Sequence, residues 1–335
     1  MMKLPLWVAA ITMTSCCFAD TAKFNALVVD VVSGEPISGA NVKSWFEWNI
    51  GWRAWSEPTP IITDEGVTDA GGFCKQKGRT NTGEVTCIAE KKGEYYKGVF
   101  FTSLKEKNLL GVWQPDNLVA TIRLQRVEHP IPLWVKKVAL GLDKDVSSLP
   151  DGKFYFDFLA GDFLPPLGNG RQADVMFARN AREDRGEGEN GANVKGRSFR
   201  DTIRVCFLGE WNGLVEMKCD NRNGIRIRQA PESRYQNEFS IWRGVGKDLQ
   251  CESSHNKDRD FCFRIRTERD AQGMIRKAWY GKIYGDMKIL AGYNYSVNGV
   301  KFLYYLNPTS LDRNLEWDMK TNLCPNPGSL GQLQP

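Results

Sequence analysis

Histidine is almost absent from this 335-residue chain, which has two, His129 and His255. There is no CxxC pair either, so a zinc centre lacks its usual ligand spacing. Ser/His/Asp chemistry is equally poorly supplied, because both histidines sit in turn or linker contexts. A strong excess of one charge is missing as well: 45 lysines and arginines stand against 40 aspartates and glutamates. That balance argues against a nucleic-acid partner. Beyond residue 20 no run approaches the roughly 18 consecutive apolar residues of a membrane-spanning helix. Amphipathic helical patterns of about ten residues or more are lacking too, and what remains reads as strand.

The chain opens MMKLPLWVAAITMTSCCFAD, one lysine and then an apolar run from Leu4 to Phe18. Small residues Cys17 and Ala19 occupy the −3 and −1 positions before Asp20. Residues 1–19 therefore read as a bacterial-type secretory signal, and the expected location is secreted, periplasmic or cell-surface. MTSC also loosely matches a lipobox. Acylation of Cys16 or Cys17 is thus an alternative that would tether the chain to a membrane, and an uncleaved anchor is a third.

In an oxidising compartment the remaining cysteines, 74, 87, 206, 219, 251, 262 and 324, should pair. Asn212-Gly213 is a two-residue hairpin signal, and Cys206 and Cys219 lie equidistant from it. They would form a non-hydrogen-bonded pair with Cα atoms about 4.5 Å apart, a separation a disulfide tolerates. The same symmetry relates Cys74 to Cys87 around RTNT and Cys251 to Cys262 around HNKD. Each is expected to staple a hairpin, worth roughly 3 kcal/mol. Cys324 is left over.

Runs such as FNALVVDVV, EVTCIAE, KFYFDFLA, TIRVCFLG and VKFLYYLN, parted by Asn-Gly, Asp-Gly and other glycine turns, predict an all-β protein. Its length calls for two domains. EHPIPLWVKKV, residues 128–138, carries Pro130 and Pro132 and reads as an extended linker. Residues 326–335 are too polar to fold and read as a disordered tail.

GEPISGANV (34–42), TDAGGF (68–73) and KKGEYYKG (91–98) together resemble the carboxypeptidase regulatory-like family over residues 22–126. The resemblance implies a transthyretin-like or Ig-like β-sandwich for residues 20–127, usually an accessory or spacer without catalytic residues. Pro36 pre-sets a turn, Gly39 allows a reversal, and Thr68-Asp69 with Gly71-Gly72 turns the chain before Phe73. An insertion at 44–61 departs from the family pattern. Residues 139–325, with GDFLPPLGNGRQADVMF and YYLNPTSLDRNLEWD, resemble only uncharacterised secreted bacterial proteins and are expected to form a larger antiparallel β domain.

Four features are candidates for function. The insertion SWFEWNIGWRAWSEP holds Trp45, Trp48, Trp52 and Trp55, which either stack on a glycan or partner protein or fold back as a lid. Arginines alternate in IRIRQ (Arg226, Arg228) and FRIRT (Arg264, Arg266). A three-residue loop at Arg222-Asn223-Gly224 would put Ile225 and Ile227 beside Cys219 and Met217 and turn Arg226 and Arg228 to the other face. Such arginines make either a solvated face or an anion-binding surface for acidic glycans. Residues 179–200, with mixed charge and four glycines, read as a mobile loop. Asp157, Asp162 and Asp174 are the acids to consider for glycoside hydrolysis, though no spacing motif marks them. Calcium at Asp258/Asp260 or at Asp220/Asn221/Asn223 matches no EF-hand loop. The expectation is an exported, non-catalytic binding protein for a glycan or protein, without cofactor or metal. The alternatives are a structural or assembly component of an envelope complex, and a hydrolase of unfamiliar type.

Overall fold

The computed structural model describes residues 20–48, 61–140, 149, 151–180, 183–187, 197–218, 226–245, 250–256, 258–291, 297–325 and 327. Every regular element among them is a β-strand. The protein is all-β, and the chain divides into two compact units at Arg126/Val127.

The smaller unit contains β1 (Thr21–Asp30), β2 (Asn41–Glu47), β3 (Ile61–Val67), β4 (Phe73–Arg79), β5 (Glu84–Glu90), β6 (Gly98–Ser103), β7 (Glu106–Lys107), β8 (Trp113–Gln114) and β9 (Leu118–Leu124). A three-stranded sheet, β4-β1-β9, and a four-stranded sheet, β3-β2-β5-β6, form a sandwich. Strict alternation supplies its core, with Phe24, Ala26 and Val28 from one sheet meeting Val42, Phe46 and Cys87 from the other. β1 and β9 run parallel, which closes the sheet without a hairpin.

The turns at 34–42 and 68–73 form one junction. Thr68 Oγ1 donates to the Ile37 carbonyl at 2.7 Å and accepts the Ala40 N–H at 2.9 Å. Asp69 Oδ1 accepts the N–H groups of Gly71 and Phe73, both at 2.9 Å. Gly72 has φ +76°, and a Cβ there would lie 2.7 Å from the Val28 carbonyl oxygen, so only glycine fits.

The larger unit contains β10 (Ile131–Ala139), β11 (Lys153–Asp157), β12 (Asp162–Phe163), β13 (Val175–Arg179), β14 (Glu183–Glu187), β15 (Arg197–Phe207), β16 (Gly213–Lys218), β17 (Glu238–Val245), β18 (Cys251–Ser253), β19 (Arg259–Arg269), β20 (Ile275–Ala291), β21 (Val297–Leu306) and β22 (Trp317–Asn322). One sheet runs β16-β19-β20-β21-β10-β22. The other runs β12-β11-β13-β15-β17-β18, with β14 also paired to β15. Between them lies an aromatic core in which Phe158 stacks on Phe263 at 4.3 Å and Phe156 meets Tyr304 edge-on. The six-stranded sheet is also covered on its other face, by clusters around Tyr280 with Leu315 and around Tyr305 with Trp317. Among the described residues of this unit, strand pairing is antiparallel except between β10 and β22.

Several expectations change here. Residues 131–138 are not a linker but most of β10, hydrogen-bonded on both edges to β21 and β22. Pro132 is accommodated at an irregularity in the β10–β22 register. Within the 179–200 segment, residues 183–187 and 197–200 are strand, with Glu183 paired to Arg200 in a β14–β15 ribbon, and residues 181–182 and 188–196 lie outside the described residues.

None of the three expected cysteine hairpins forms. β4 and β5 belong to facing sheets, as do β15 and β16, and β18 and β19. Both edges of β15 are taken by β13 and β17, so the chain crosses to the other sheet at 208–212. There Asn212 donates to the Leu208 carbonyl and accepts the Thr267 N–H. Cys74, Cys87, Cys206, Cys251 and Cys262 carry free thiols, and Cys219 lies outside the described residues. Burial pushes the Cys87 thiol up to about 11 and the Cys262 thiol up to about 12.

Replacing Thr68 by valine keeps the shape but removes both hydrogen bonds, and a loss of about 1–3 kcal/mol in urea unfolding is expected, with a larger loss for Gly72→Ala. In alkylation of the native chain, exposed Cys251 should react first and Cys87 and Cys262 only on unfolding. A Cys251–Cys262 cross-link in a mass map would contradict the sheet-crossing path.

Candidate functional site

Trp45 lies on β2 rather than in the insertion loop, and its side chain points away from the sandwich core. Register puts it between Thr63 of β3 and Thr86 of β5, and Thr86 is followed across the sheet by Phe101 of β6. The next row is Glu65, Lys43, Ile88 and Val99, followed by Val67, Asn41 and Glu90. This outer face is a shallow trough with a cavity of about 620 Å³, lined among others by Asn41, Lys43, Trp45, Glu65, Ile88 and Lys97. Phe101 is 63% exposed and Val67 59%, so apolar surface is shown to water beside ion pairs. Lys43 pairs with Glu65, and its ammonium lies 5.7 Å from the Trp45 ring centroid. Lys97 pairs with Glu90 at 3.3 Å. Flat aromatic surface ringed by hydroxyl, amide and charged groups suits a sugar ring or a partner's side chains.

Of the other tryptophans, Trp48 is half-buried with the Arg79 guanidinium 5.3 Å from its ring. Trp52 and Trp55 lie outside the described residues.

The arginine alternation does not build a binding face. Arg264 is buried because residues 226–236 cover its side of the six-stranded sheet. It donates to the Trp211 carbonyl at 3.0 and 2.7 Å and to the Glu232 carbonyl at 3.2 Å, and it packs on Tyr235. Arg228 pairs with Glu128 at 2.6 Å, beside buried Glu316. Arg226 is half-buried. The segment 226–230 pairs with residues 313–315 rather than with β16, although Ile227 still reaches the cluster that holds Met217.

Arg266 joins two of the three candidate acids. Its guanidinium donates to Asp157 Oδ1 at 2.6 Å and to Asp174 at 2.7 and 3.1 Å. A bulge in β19 and a positive φ of 50° at Arg266 aim the side chain across the sandwich. Burial works to raise the Asp157 carboxyl. The backbone N–H groups of Ala160, Gln172 and Arg171, with Arg266, outweigh it and hold Asp157 below its ordinary range. Asp174 is raised by burial despite Arg266. Asp162 stands apart, accepting the N–H groups of Phe163 and Asn169. The carboxylates are thus neutralised by a guanidinium and by turn amides, an arrangement that clamps sheets together.

A second concavity, of about 220 Å³, is lined by Trp242, Arg243, Cys251, Ser253, His255 and Lys288 among others. Asp286 beside it accepts from Arg259 at 2.7 Å and from the Asn256 N–H at 2.8 Å, with His255 Nδ1 at 3.5 Å. Burial, then Lys288, lowers the His255 pKa. Of the calcium candidates, Asp260 is buried and bound to the Gly285 N–H at 2.7 Å, and residues 220, 221 and 223 lie outside the described residues. No group of three or more His, Cys, Asp and Glu is placed to hold a metal among the described residues.

Phe101, Ile88 and Val67 were not singled out from sequence. The available signal was alternation: in EVTCIAE, Thr86 and Ile88 fall on the face opposite Val85 and Cys87.

Replacing Arg266 by methionine leaves two buried carboxylates without their counter-ion, and a loss of about 3–5 kcal/mol is expected near neutral pH. Protonating those carboxyls relieves the deficit, so the difference from wild type should narrow toward about pH 4. Chemical denaturation at the two pH values measures both.

No family model matches the chain, and no curated protein matches it. Among solved structures, 3-chlorocatechol 1,2-dioxygenase from Rhodococcus opacus 1CP aligns at TM-score 0.25 and 13% identity, over 32% of this chain and 61% of that one. The shaft pilin SpaA from Lactobacillus rhamnosus GG aligns at TM-score 0.21 and 10% identity, over 75% and 89%. The Corynebacterium diphtheriae major pilin SpaA aligns at TM-score 0.21 and 11% identity, over 78% and 69%. The chain thus spans about 61% of the dioxygenase, and at these scores none of the three likenesses bears on function.

Proposed function

We propose that this chain is an exported structural or assembly component, a non-catalytic β scaffold that contacts a protein partner through the outer face of β3-β2-β5-β6. The observation that carries this reading is the outer face on which half-buried Trp45 and Ile88 lie between exposed Phe101 and Val67, because apolar surface left open to water on a sheet face marks a contact site. The buried ionic groups support it. Asp157, Asp174 and Arg266 are spent on holding the larger unit's sheets together, as Arg264 and Glu316 are on pinning a covering segment and the residues just before β10. A glycan ligand is the second reading, favoured by the threonines that flank the Trp45 indole.

The test places a photo-cross-linking amino acid at Phe101 in producing cells, with Leu323 as an exposed control position. Adducts to another exported protein or a second copy from position 101, absent from 323 and lost with Trp45→Ala, are expected. Equal labelling from both positions, or none from 101, overturns the assembly reading. A tryptophan-emission change on titrating an oligosaccharide, abolished by Trp45→Ala, would transfer the face to the glycan reading.

A further inference from the structure

The other outer face of the small sandwich carries different chemistry. On β4-β1-β9 the outward positions include Lys23, Lys75, Lys77, Arg79 and Arg123, and no outward position of these three strands holds an acid. Lys23 stands directly across from Lys77, and like charges so placed are unfavourable in an isolated sheet.

At the end of the sheet where Arg79 faces Thr21, the β7–β8 turn projects two leucines, Leu109 at 106% and Leu110 at 65% exposure. The turn is ordered by its own hydrogen bonds: Asn108 Oδ1 accepts the N–H groups of Leu110 at 2.9 Å and of Val112 at 3.0 Å. The leucines are therefore held out in water by a built loop. The N-terminal segment joins the sandwich at this spot. The Asp20 N–H donates to the Gly111 carbonyl at 2.8 Å, Lys107 pairs with Asp20, and Thr21 bridges Val112. Asp20, the first described residue, thus lies beside the leucine tip.

We propose that this face docks on an anionic phospholipid surface. Leu109 and Leu110 enter the interface while the lysine and arginine stripe lies over the headgroups. The apolar tip supplies burial and the stripe supplies charge attraction, the two components of peripheral membrane binding. The Trp45 face, on the opposite side of the sandwich, stays turned to its partner, so the two surfaces can fail independently.

The chain from Asp20 to Pro335 keeps every described element and lacks the apolar leader. It is floated with vesicles of equal parts phosphatidylcholine and phosphatidylglycerol, and with pure phosphatidylcholine vesicles. Binding to the anionic vesicles is expected, weakening about fivefold for each of Lys23→Gln, Lys75→Gln and Lys77→Gln and fading at high salt. Leu109→Ser with Leu110→Ser should weaken it further, whereas Trp45→Ala should not. Equal binding to both vesicle types, no binding at low salt, or lysine and leucine variants that bind like wild type would each overturn the proposal. So would capture by a sulfated polysaccharide without vesicle binding, which would assign the stripe to a polyanionic glycan.

Discussion

The guanidinium of Arg266 reaches from β19 in one sheet of the larger unit to Asp157 and Asp174 in the other. Without it, two buried carboxylates that lie side by side in one sheet would lose the guanidinium that neutralises them. With it, the turn after β11, the start of β13 and the bulge in β19 are held as one assembly by charge-assisted hydrogen bonds. The register of the phenylalanine core follows from that anchor, because a strand slip at any of the three elements would strand a buried charge. The same group explains why acids that read as catalytic candidates serve structure. A carboxylate saturated by a guanidinium and by amides has little capacity left to move a proton or attack a sugar.

The other organising constraint is that each strand has two edges, and a sandwich rations them. Asn212-Gly213, RTNT and HNKD are genuine reversals, but each carries the chain from one sheet to the facing one. Equal spacing of two cysteines about a turn is satisfied by a crossing as well as by a hairpin. The neighbours decide between them, as when β13 and β17 take both edges of β15 before β16 can pair there. Double-sided burial has a similar effect. The six-stranded sheet is covered by residues 226–236 and by Leu315 on the face away from the main core. Arginines that alternate correctly for a solvated strand therefore end up beneath a covering segment.

The small sandwich separates its two outer faces by chemistry. One presents Trp45 and Phe101 among threonines and paired charges; the other presents lysine and arginine at outward strand positions and ends in a leucine tip beside Asp20. Taken together as proposals, they describe an exported scaffold that lies against lipid on one side and meets a partner on the other. The period-2 basic pattern sought in IRIRQ and FRIRT occurs on an open face after all, at Lys75, Lys77 and Arg79 of β4.

Local physics in the sequence determined the β class, the alternation of the strands, and the turns at 34–42 and 68–73, because side-chain period, glycine conformations and proline are properties of neighbouring residues. The start of the strand after Gly39 was legible in the same way, whereas Trp45 reads as part of the insertion and lies on β2 in the structure. Tertiary structure decided which strands became neighbours, that residues 131–138 became a central strand, and whether an arginine faced water or a buried acid. Those outcomes depend on groups far apart in the chain, such as Arg266 with Asp157 and Asp174, or Glu316 with the N–H groups of Glu128 and His129. Pairing at such separations is a competition for edges and for desolvated charge, and only the assembled sheets settle it.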